Sequence, residues 1–344
     1  MHFDFAVVGF GLAGMSITHK LKECGKTVLV ISDESQLASS VAGGVWNPVI
    51  LKRFTPAWRG DFLLKYALDF YKKLEVDLNC SFMEYFETLR IIHDVEEGNN
   101  FIAASDRVGL ENYLSPKIYP NLNPEIKAPH GYGKVMGTGK LNVPVLLKAF
   151  KAMLIDNNTF VSGTIDYDQL DVDKLTFGGH SFDNIVFCEG FGMSKNPFFN
   201  YLPLRHAKGE VLIIKCEELN LNVLLKAGVF VLPLGNSMYK VGATYDNYDV
   251  TNTPTDKARN RLIEKLELMI NCSYEICDQM AGIRPTVVDR RPLVGKHPKY
   301  NNLFVLNGLG TRGVMNAPFS ADNLARSIAY GEEMDKEIDI NRFS

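Results

Sequence analysis

The stretch Asp4-Phe5-Ala6-Val7-Val8-Gly9-Phe10-Gly11-Leu12-Ala13-Gly14, answered by Lys26-Thr27-Val28-Leu29-Val30-Ile31-Ser32-Asp33, decides the fold of this chain. A short apolar strand runs into G-x-G-x-x-G. A helical pattern follows with Ala13, Ile17 and Leu21 on one face, and a second apolar strand ends at an acid. That is the pattern of a dinucleotide-binding βαβ unit. Gly9 permits the tight strand-to-helix turn, Gly11 leaves no side chain between backbone and pyrophosphate, and Gly14 lets helix and strand pack closely. The pyrophosphate is expected at the helix N-terminus, beside Leu12 and Ala13, where unpaired N–H groups and the helix dipole favour an anion. Counted from Gly25, the usual ribose-binding acid falls on Ser32, with Asp33 one place later, so both are candidates for the ribose.

At 344 residues the chain exceeds the size at which a single core usually splits. Apolar residues make up 46% and charged residues 22%, ordinary for a globular enzyme, and the net charge of −3 gives no global pull toward nucleic acid or an anionic membrane. No apolar window reaches the length of a membrane span, and the N-terminal apolar run is too short for a signal segment, so a cytoplasmic location is expected. The six cysteines are scattered, and Cys272 and Cys277, the only near neighbours, match no zinc spacing. Reduced thiols and no metal are expected.

Outward from the first unit, helices are expected over residues 58–74, 144–154 (with Pro144 in its first turn), 255–270 (capped by Thr253 or Thr255) and 318–329. Strands are expected at 159–166, 184–188, 274–284 and 303–306, and as a meander at 209–215, 229–234 and 238–244 that turns at Gly235-Asn236-Ser237. Residues 80–93 and about 100–138 read as short strands and turns. Ser39-Ser40-Val41-Ala42-Gly43-Gly44-Val45-Trp46-Asn47-Pro48 is a small-residue loop. The alternation of βα and β-rich stretches predicts two interleaved domains, crossed several times by the chain.

The N-terminal unit does not separate one dinucleotide from another. The last third carries further marks: Gly282-Ile283-Arg284-Pro285-Thr286-Val287-Val288-Asp289-Arg290-Arg291-Pro292-Leu293-Val294-Gly295, then Leu306-Asn307-Gly308-Leu309-Gly310-Thr311-Arg312-Gly313-Val314-Met315-Asn316-Ala317-Pro318. With these, the chain resembles the FAD-dependent amine oxidase family of D-amino-acid oxidase, glycine oxidase and sarcosine oxidase. The segments Leu202 to Glu210 and Val241-Gly242-Ala243-Thr244 and the small loop 39–48 fit the same family order. Within it the likeness is nearest to the oxidase half of the bacterial bifunctional enzymes that mature methylaminomethyl-2-thiouridine in tRNA, on Ser32-Asp33-Glu34, Ala243-Thr244-Tyr245-Asp246 and Leu309-Gly310-Thr311-Arg312-Gly313. The methyltransferase half of those enzymes is not matched by these residues.

The resemblance implies an α/β fold: a Rossmann-like FAD-binding domain of glutathione-reductase type, interleaved with a β-rich α+β substrate domain. The division expected is 1–78, 139–200 and 282–344 for FAD, with 79–138 and 201–281 for substrate. It also implies oxidation of the C–N bond of an amine or amino acid to an imine, with no catalytic acid, nucleophile or metal because the flavin supplies the chemistry. Besides Gly9, Gly11, Leu12, Ala13, Gly14, Ser32 and Asp33, the FAD contacts implied are Ser39, Ser40, Ala42, Gly43, Gly44, Ile165, Gly190, Gly308, Gly310, Thr311, Arg312, Gly313 and Val314. The loop 42–45 would approach the ring from one side. Backbone N–H groups of 308–315 would face its carbonyl edge, where negative charge develops on reduction.

For substrate, Arg284 is the expected anchor, because the arginine of G-x-R-P binds the substrate carboxylate in the family's amino-acid oxidases and a guanidinium fork suits that task. A structural pair with Asp289 is the competing reading. Arg312 is a second cation, facing either substrate or flavin phosphate. Phe230 stands where glycine oxidases carry a carboxylate-holding tyrosine, and Tyr245 is a candidate for the missing hydroxyl. Trp46 and Trp58 read as core or seam aromatics, and His206 as structural. A small free amine is favoured over a carboxymethylaminomethyl-uridine in tRNA, since a tRNA binder normally shows a basic footprint. An NAD-dependent dehydrogenase and a non-catalytic flavoprotein stay open as rivals.

Overall fold

The computed structural model describes residues 1–343. Two sheets organise them. In the first, the order across the sheet is Leu293–Lys296, Leu303–Asn307, His180–Phe187, His2–Val8, Val28–Ser32, Phe160–Ser162, with Thr176–Phe177 attached at the edge of His180–Phe187. The five strands from Leu303–Asn307 to the edge strand Phe160–Ser162 run parallel, and Leu293–Lys296 and Thr176–Phe177 are antiparallel to their neighbours. Parallel strands bury both faces, which explains why they read as continuous apolar runs. Phe5, Val7, Val28, Val30, Val186 and Leu306 face one way into the main core, and Ala6, Val8, Leu29, Ile31, Ile185 and Val305 face the other.

Seven α-helices follow in chain order: α1 Leu12–Glu23, α2 Ala38–Val41, α3 Gly60–Asp77, α4 Val95–Ser105, α5 Val143–Asp156, α6 Asp256–Glu267 and α7 Gly313–Tyr330. Helices α1, α3, α5 and α7 share the main core with one face of the first sheet. None of the described helices is long and apolar enough to cross a membrane. Helix α4 lies where turns were expected. Its start is capped by Asp94, whose carboxylate accepts from the Glu97 N–H at 2.7 Å, and Glu96 and Glu97 sit in its first turn, where the dipole favours acids. Thr255, one of two residues expected to cap α6, does so, accepting from the Ala258 N–H at 3.2 Å.

The closing helix begins five residues earlier than expected, so Pro318 sits inside α7 rather than at its start. A proline there gives no N–H to the carbonyl four residues back. That carbonyl belongs to Val314, and the hydroxyl of fully buried Tyr71 on α3 donates to it at 3.0 Å. The helix is therefore completed by a side chain from its packing partner. Tyr71→Phe is expected to leave the Val314 carbonyl unpaired and lower unfolding stability by about 1–3 kcal/mol, read from urea denaturation midpoints. An unchanged midpoint would show that the carbonyl finds another donor.

The second sheet has the order Glu275–Val287, Leu204–Lys215, Met238–Gly242, Phe230–Gly235, Leu224–Lys226, Met83–Ile91, Tyr132–Leu141, Val45–Trp46, with Leu114–Tyr119 on Tyr132–Leu141. It is antiparallel except where Leu224–Lys226 runs beside Met83–Ile91. One face carries Leu212, Ile214, Leu225, Val231 and Val241 against Leu262 and Leu266 of α6. Strand Glu275–Val287 stays in this sheet through Val287, past the expected boundary at 282, because Gly282, Arg284 and Val287 pair with Gly209, Ala207 and Leu204. Trp46 also belongs here, buried and paired with Gly139.

Candidate functional site

The register of the first sheet brings four chain exits to one edge. Val8 lies beside Ile31 and Phe187, and Phe187 beside Val305. The residues at or just beyond the ends of these strands, Gly9, Asp33, Cys188 to Gly190 and Asn307, therefore emerge together at the carboxyl ends of parallel strands, where α/β sheets bind ligands. They open on a cavity of about 990 Å³ that continues to the uncovered face of the second sheet.

At the first-sheet end the seat for an anion is built from backbone. Helix α1 has no side-chain cap in the usual position; the nearest partner is the Ser39 hydroxyl, which accepts from the Leu12 N–H at 3.3 Å. A Cβ on Gly11 would lie 2.9 Å from that Ser39 oxygen. Gly9 takes φ +99°, and a Cβ there would strike the Cys188 carbonyl at 2.4 Å. Gly14 is equally tight, since its Cβ would come within 2.0 Å of the Gly9 carbonyl.

Both ribose candidates line the cavity, but they are unequal. The Ser32 hydroxyl is turned back to the Glu34 N–H at 3.2 Å. The Asp33 carboxylate accepts from the Ser35 N–H at 3.0 Å and from Thr164 at 3.1 Å. Burial raises the Asp33 pKa, yet these hydrogen bonds outweigh it and hold the carboxyl below its ordinary value. Glu189, not anticipated from sequence, stands beside this corner with Tyr167 and Asn196 as partners. Burial, with the charge of Asp33 close by, pushes its carboxyl up to about 7.

The far end lies on the second sheet, where residues alternate between core and cavity. Gly209 and Val211, Gly282 and Arg284, Phe230, Leu224 and Lys226 line the cavity. Arg284 lies across the bare α-carbon of Gly209, where a Cβ would sit 2.0 Å from its Nη2. Among the described residues its only hydrogen bonds are to the Ala207 and Thr244 carbonyls, both at 3.4 Å, and its guanidinium is 5.7 Å from the Tyr245 ring. Burial lowers its pKa, and no acid among the described residues pairs with it. Asp289, the competing partner, pairs instead with Arg342 at 2.8 Å. Gly43 of the small loop faces Phe230, with 3.5 Å between its would-be Cβ and the ring.

Arg312 lies just before α7, and burial, reinforced by Arg290, lowers its pKa. Gly313 next to it packs near Leu12, so the N-termini of α7 and α1 adjoin. All four expected substrate residues (Arg284, Tyr245, Phe230 and Arg312) line the one cavity, as do Leu12, Ala13, Ser39, Ala42, Gly43, Gly44, Ile165, Gly190, Gly310, Thr311, Gly313 and Val314. Three expected contacts do not. Gly14 is buried against Gly9, Gly308 is packed on Val287 and Leu293, and Ser40 is on the exposed side of α2. At Gly14 and Gly308 the packing itself leaves no room for a side chain. Glu189 could have been found by the same end-of-strand rule that picked Asp33. Lys226 gave no signal in its apolar run.

Three comparisons bear on this arrangement. The profile of the FAD dependent oxidoreductase family, DAO, matches residues 4–327. Among relatives, the tRNA 5-methylaminomethyl-2-thiouridine biosynthesis bifunctional protein of Legionella pneumophila is 26% identical over 365 residues, covering 93% of this chain and 53% of that protein. The chain thus spans about half the length of such bifunctional relatives. Glycine oxidase of Pseudomonas aeruginosa is 24% identical over 350 residues, covering 93% of each. Among solved structures, glycine oxidase from Geobacillus kaustophilus superposes with a TM-score of 0.80 at 18% identity, covering 100% of this chain and 98% of that one.

Proposed function

This chain belongs to the FAD dependent oxidoreductase family, and on that premise we propose that it oxidises the C–N bond of an amino acid or related amine to an imine, which water then hydrolyses. The residues present fit the cofactor: an uncapped helix N-terminus, the bare α-carbon of Gly11 and a cavity continuous from there to the second sheet. FAD, when bound, supplies the hydride acceptor. In this reading the first-turn N–H groups of α1 would hold the pyrophosphate and Asp33 would hold the ribose, because its carboxylate keeps acceptor sites beyond those used by Ser35 and Thr164. The N-terminus of α7, at Gly313 and Val314, lines the cavity and would offer partial positive charge to a flavin whose ring gains negative charge on reduction. The loop Ala42-Gly43-Gly44-Val45 lines the cavity, with Gly43 facing Phe230.

The observation that carries the substrate class is Arg284: a partly buried guanidinium, without an acid partner among the described residues, facing the cavity across the bare α-carbon of Gly209. A desolvated cation held without a counterion calls for an anionic ligand, and its fork fits a carboxylate. Phe230 brings no hydroxyl to that carboxylate, and Tyr245 instead lies against the guanidinium.

A second reading, favoured by the likeness to the bifunctional tRNA-modifying proteins, places the same glycine-like group on a uridine of tRNA. One experiment separates the two. Purified protein is made anaerobic and its flavin absorbance followed with glycine, sarcosine, N-alkyl and D- and L-amino acids, and with tRNA bearing carboxymethylaminomethyl-uridine. Bleaching by a free amino acid, with no tRNA affinity across a salt series, is the expected result. Bleaching by the modified tRNA alone, with binding that falls steeply as salt rises, would transfer the proposal to tRNA. Bleaching by no amine at all would leave a flavoprotein without this activity.

A further inference from the structure

The second sheet puts a second unpartnered cation into the same cavity. Lys226 lines it from the strand next to Phe230, with its ammonium 5.9 Å from the Phe230 ring centre. It has neither a hydrogen bond nor an ion pair among the described residues, and burial, together with Arg90 and Lys265 nearby, pushes its pKa down to about 8. The flanking cation Arg90, level with Lys226 across the strand pair, spends its charge on Glu97 at 2.6 Å. The acids that line the cavity are Asp33, Glu34 and Glu189, and all three lie just past strands of the first sheet. The end formed by Arg284, Tyr245, Phe230 and Lys226 thus holds two cations and no carboxylate.

We propose that Lys226 forms a second anion subsite, so that the substrate is an amino acid carrying a second carboxylate or phosphate on the other arm of its amine. The proposal rests on the reading of Arg284 as the anchor for the first carboxylate. The row Val211, Gly242, Phe230, Lys226 runs straight across four strands, and Arg284 stands on the strand beyond Val211. Strand spacing of ~4.8 Å sets the two cations well apart in backbone position, bridged only by long side chains. The second anion is therefore separated from the first by several bonds, and Phe230 offers an apolar wall to the chain between them. A substrate as short as glycine would leave Lys226 unpaired.

The test uses the FAD-loaded protein and ligands that cannot be oxidised. Linear dicarboxylates from succinate to pimelate, the matching monocarboxylates, and phosphonocarboxylates of the same lengths are titrated against the visible flavin spectrum, for native protein and for Lys226→Met and Lys226→Arg. At one chain length a dianion should bind at least about tenfold more tightly than its monoanion, the gain expected of one hydrogen bond between charged groups. That ratio should fall to within about threefold of one in Lys226→Met and be largely restored in Lys226→Arg. Whether the preferred second group is carboxylate or phosphonate identifies the anion. Monocarboxylates that bind through Arg284 while dicarboxylates bind no better at any length would overturn the subsite and leave the proposed function standing. A dianion preference that survives Lys226→Met would also overturn it. If no carboxylate perturbs the flavin at all, the subsite and the reading of Arg284 fall together.

Discussion

The Gly11→Val protein is expected to fold and to purify without yellow colour, its affinity for FAD reduced by at least about a hundredfold. Gly11 is the position at which this test is clean. It has φ −106° and ψ −160°, extended backbone that valine adopts freely. Gly9 and Gly14 are poor probes, because side chains there would collide with backbone at 2.4 and 2.0 Å and damage the strand–helix junction itself. At Gly11 the near neighbour is a serine hydroxyl at 2.9 Å, the end of a side chain that can rotate away. The branched side chain then fills the space before the first N–H groups of α1. Overpacking of even a well-formed site costs about 1–3 kcal/mol, and the lost approach of the N–H groups adds to it. Flavin content from absorbance, with circular dichroism and a thermal midpoint as the check on folding, measures the effect. A folded Gly11→Val protein with full flavin would remove this loop from the cofactor site.

What the sequence made legible was mostly local. The strand before Gly9, the helix after Gly11 and the acid beyond Ile31 are consecutive, so their periodicity and spacing stand in one window. The cap at Thr255 is equally local. The misses have different causes. Helix α4 was obscured by Gly98, Asn99 and Asn100, poor helix formers, although Asp94 and Glu97 carried the start signal. The closing helix was expected to begin at Pro318, and the tertiary contact from Tyr71 to the Val314 carbonyl, 243 residues apart in sequence, explains why the proline is tolerated inside α7.

The substrate end was half legible for the same reason. Arg284 was marked by its motif, but its release from Asp289 depends on Arg342, 53 residues beyond that acid, and its seat over Gly209 depends on sheet register. Lys226 reaches the cavity because a three-residue strand pairs with Phe230 on one side and Arg90 on the other. Neither pairing is written in the residues around Lys226. The packing role read for Gly14 is the one the structure shows, and Gly308, expected only as a cofactor contact, is packed in the same way on Val287 and Leu293.

Arg284→Lys is expected to keep its FAD and lose substrate. The charge remains, so the electrostatics of the site change little. What disappears is the planar fork, together with the fit over Gly209 that fixes its direction. Removing a buried, hydrogen-bonded charge pair costs about 2–5 kcal/mol, which is roughly thirtyfold to several thousandfold in affinity. Lysine retains some attraction, which places the expected loss toward the lower part of that range. The measurement is the dissociation constant of a monocarboxylate read from the flavin spectrum, alongside KM and kcat for whichever amine bleaches the native protein. Loss in KM with a smaller change in kcat marks an anchor. Arg312→Lys is the informative contrast, because Arg312 stands where the N-termini of α1 and α7 adjoin, whereas Arg284 stands on the second sheet. Its substitution should weaken FAD retention and leave the KM-against-kcat pattern of Arg284→Lys unreproduced. If Arg284→Lys instead releases FAD while binding carboxylates as before, the guanidinium is not the carboxylate anchor, and the Lys226 subsite that rests on that reading falls with it.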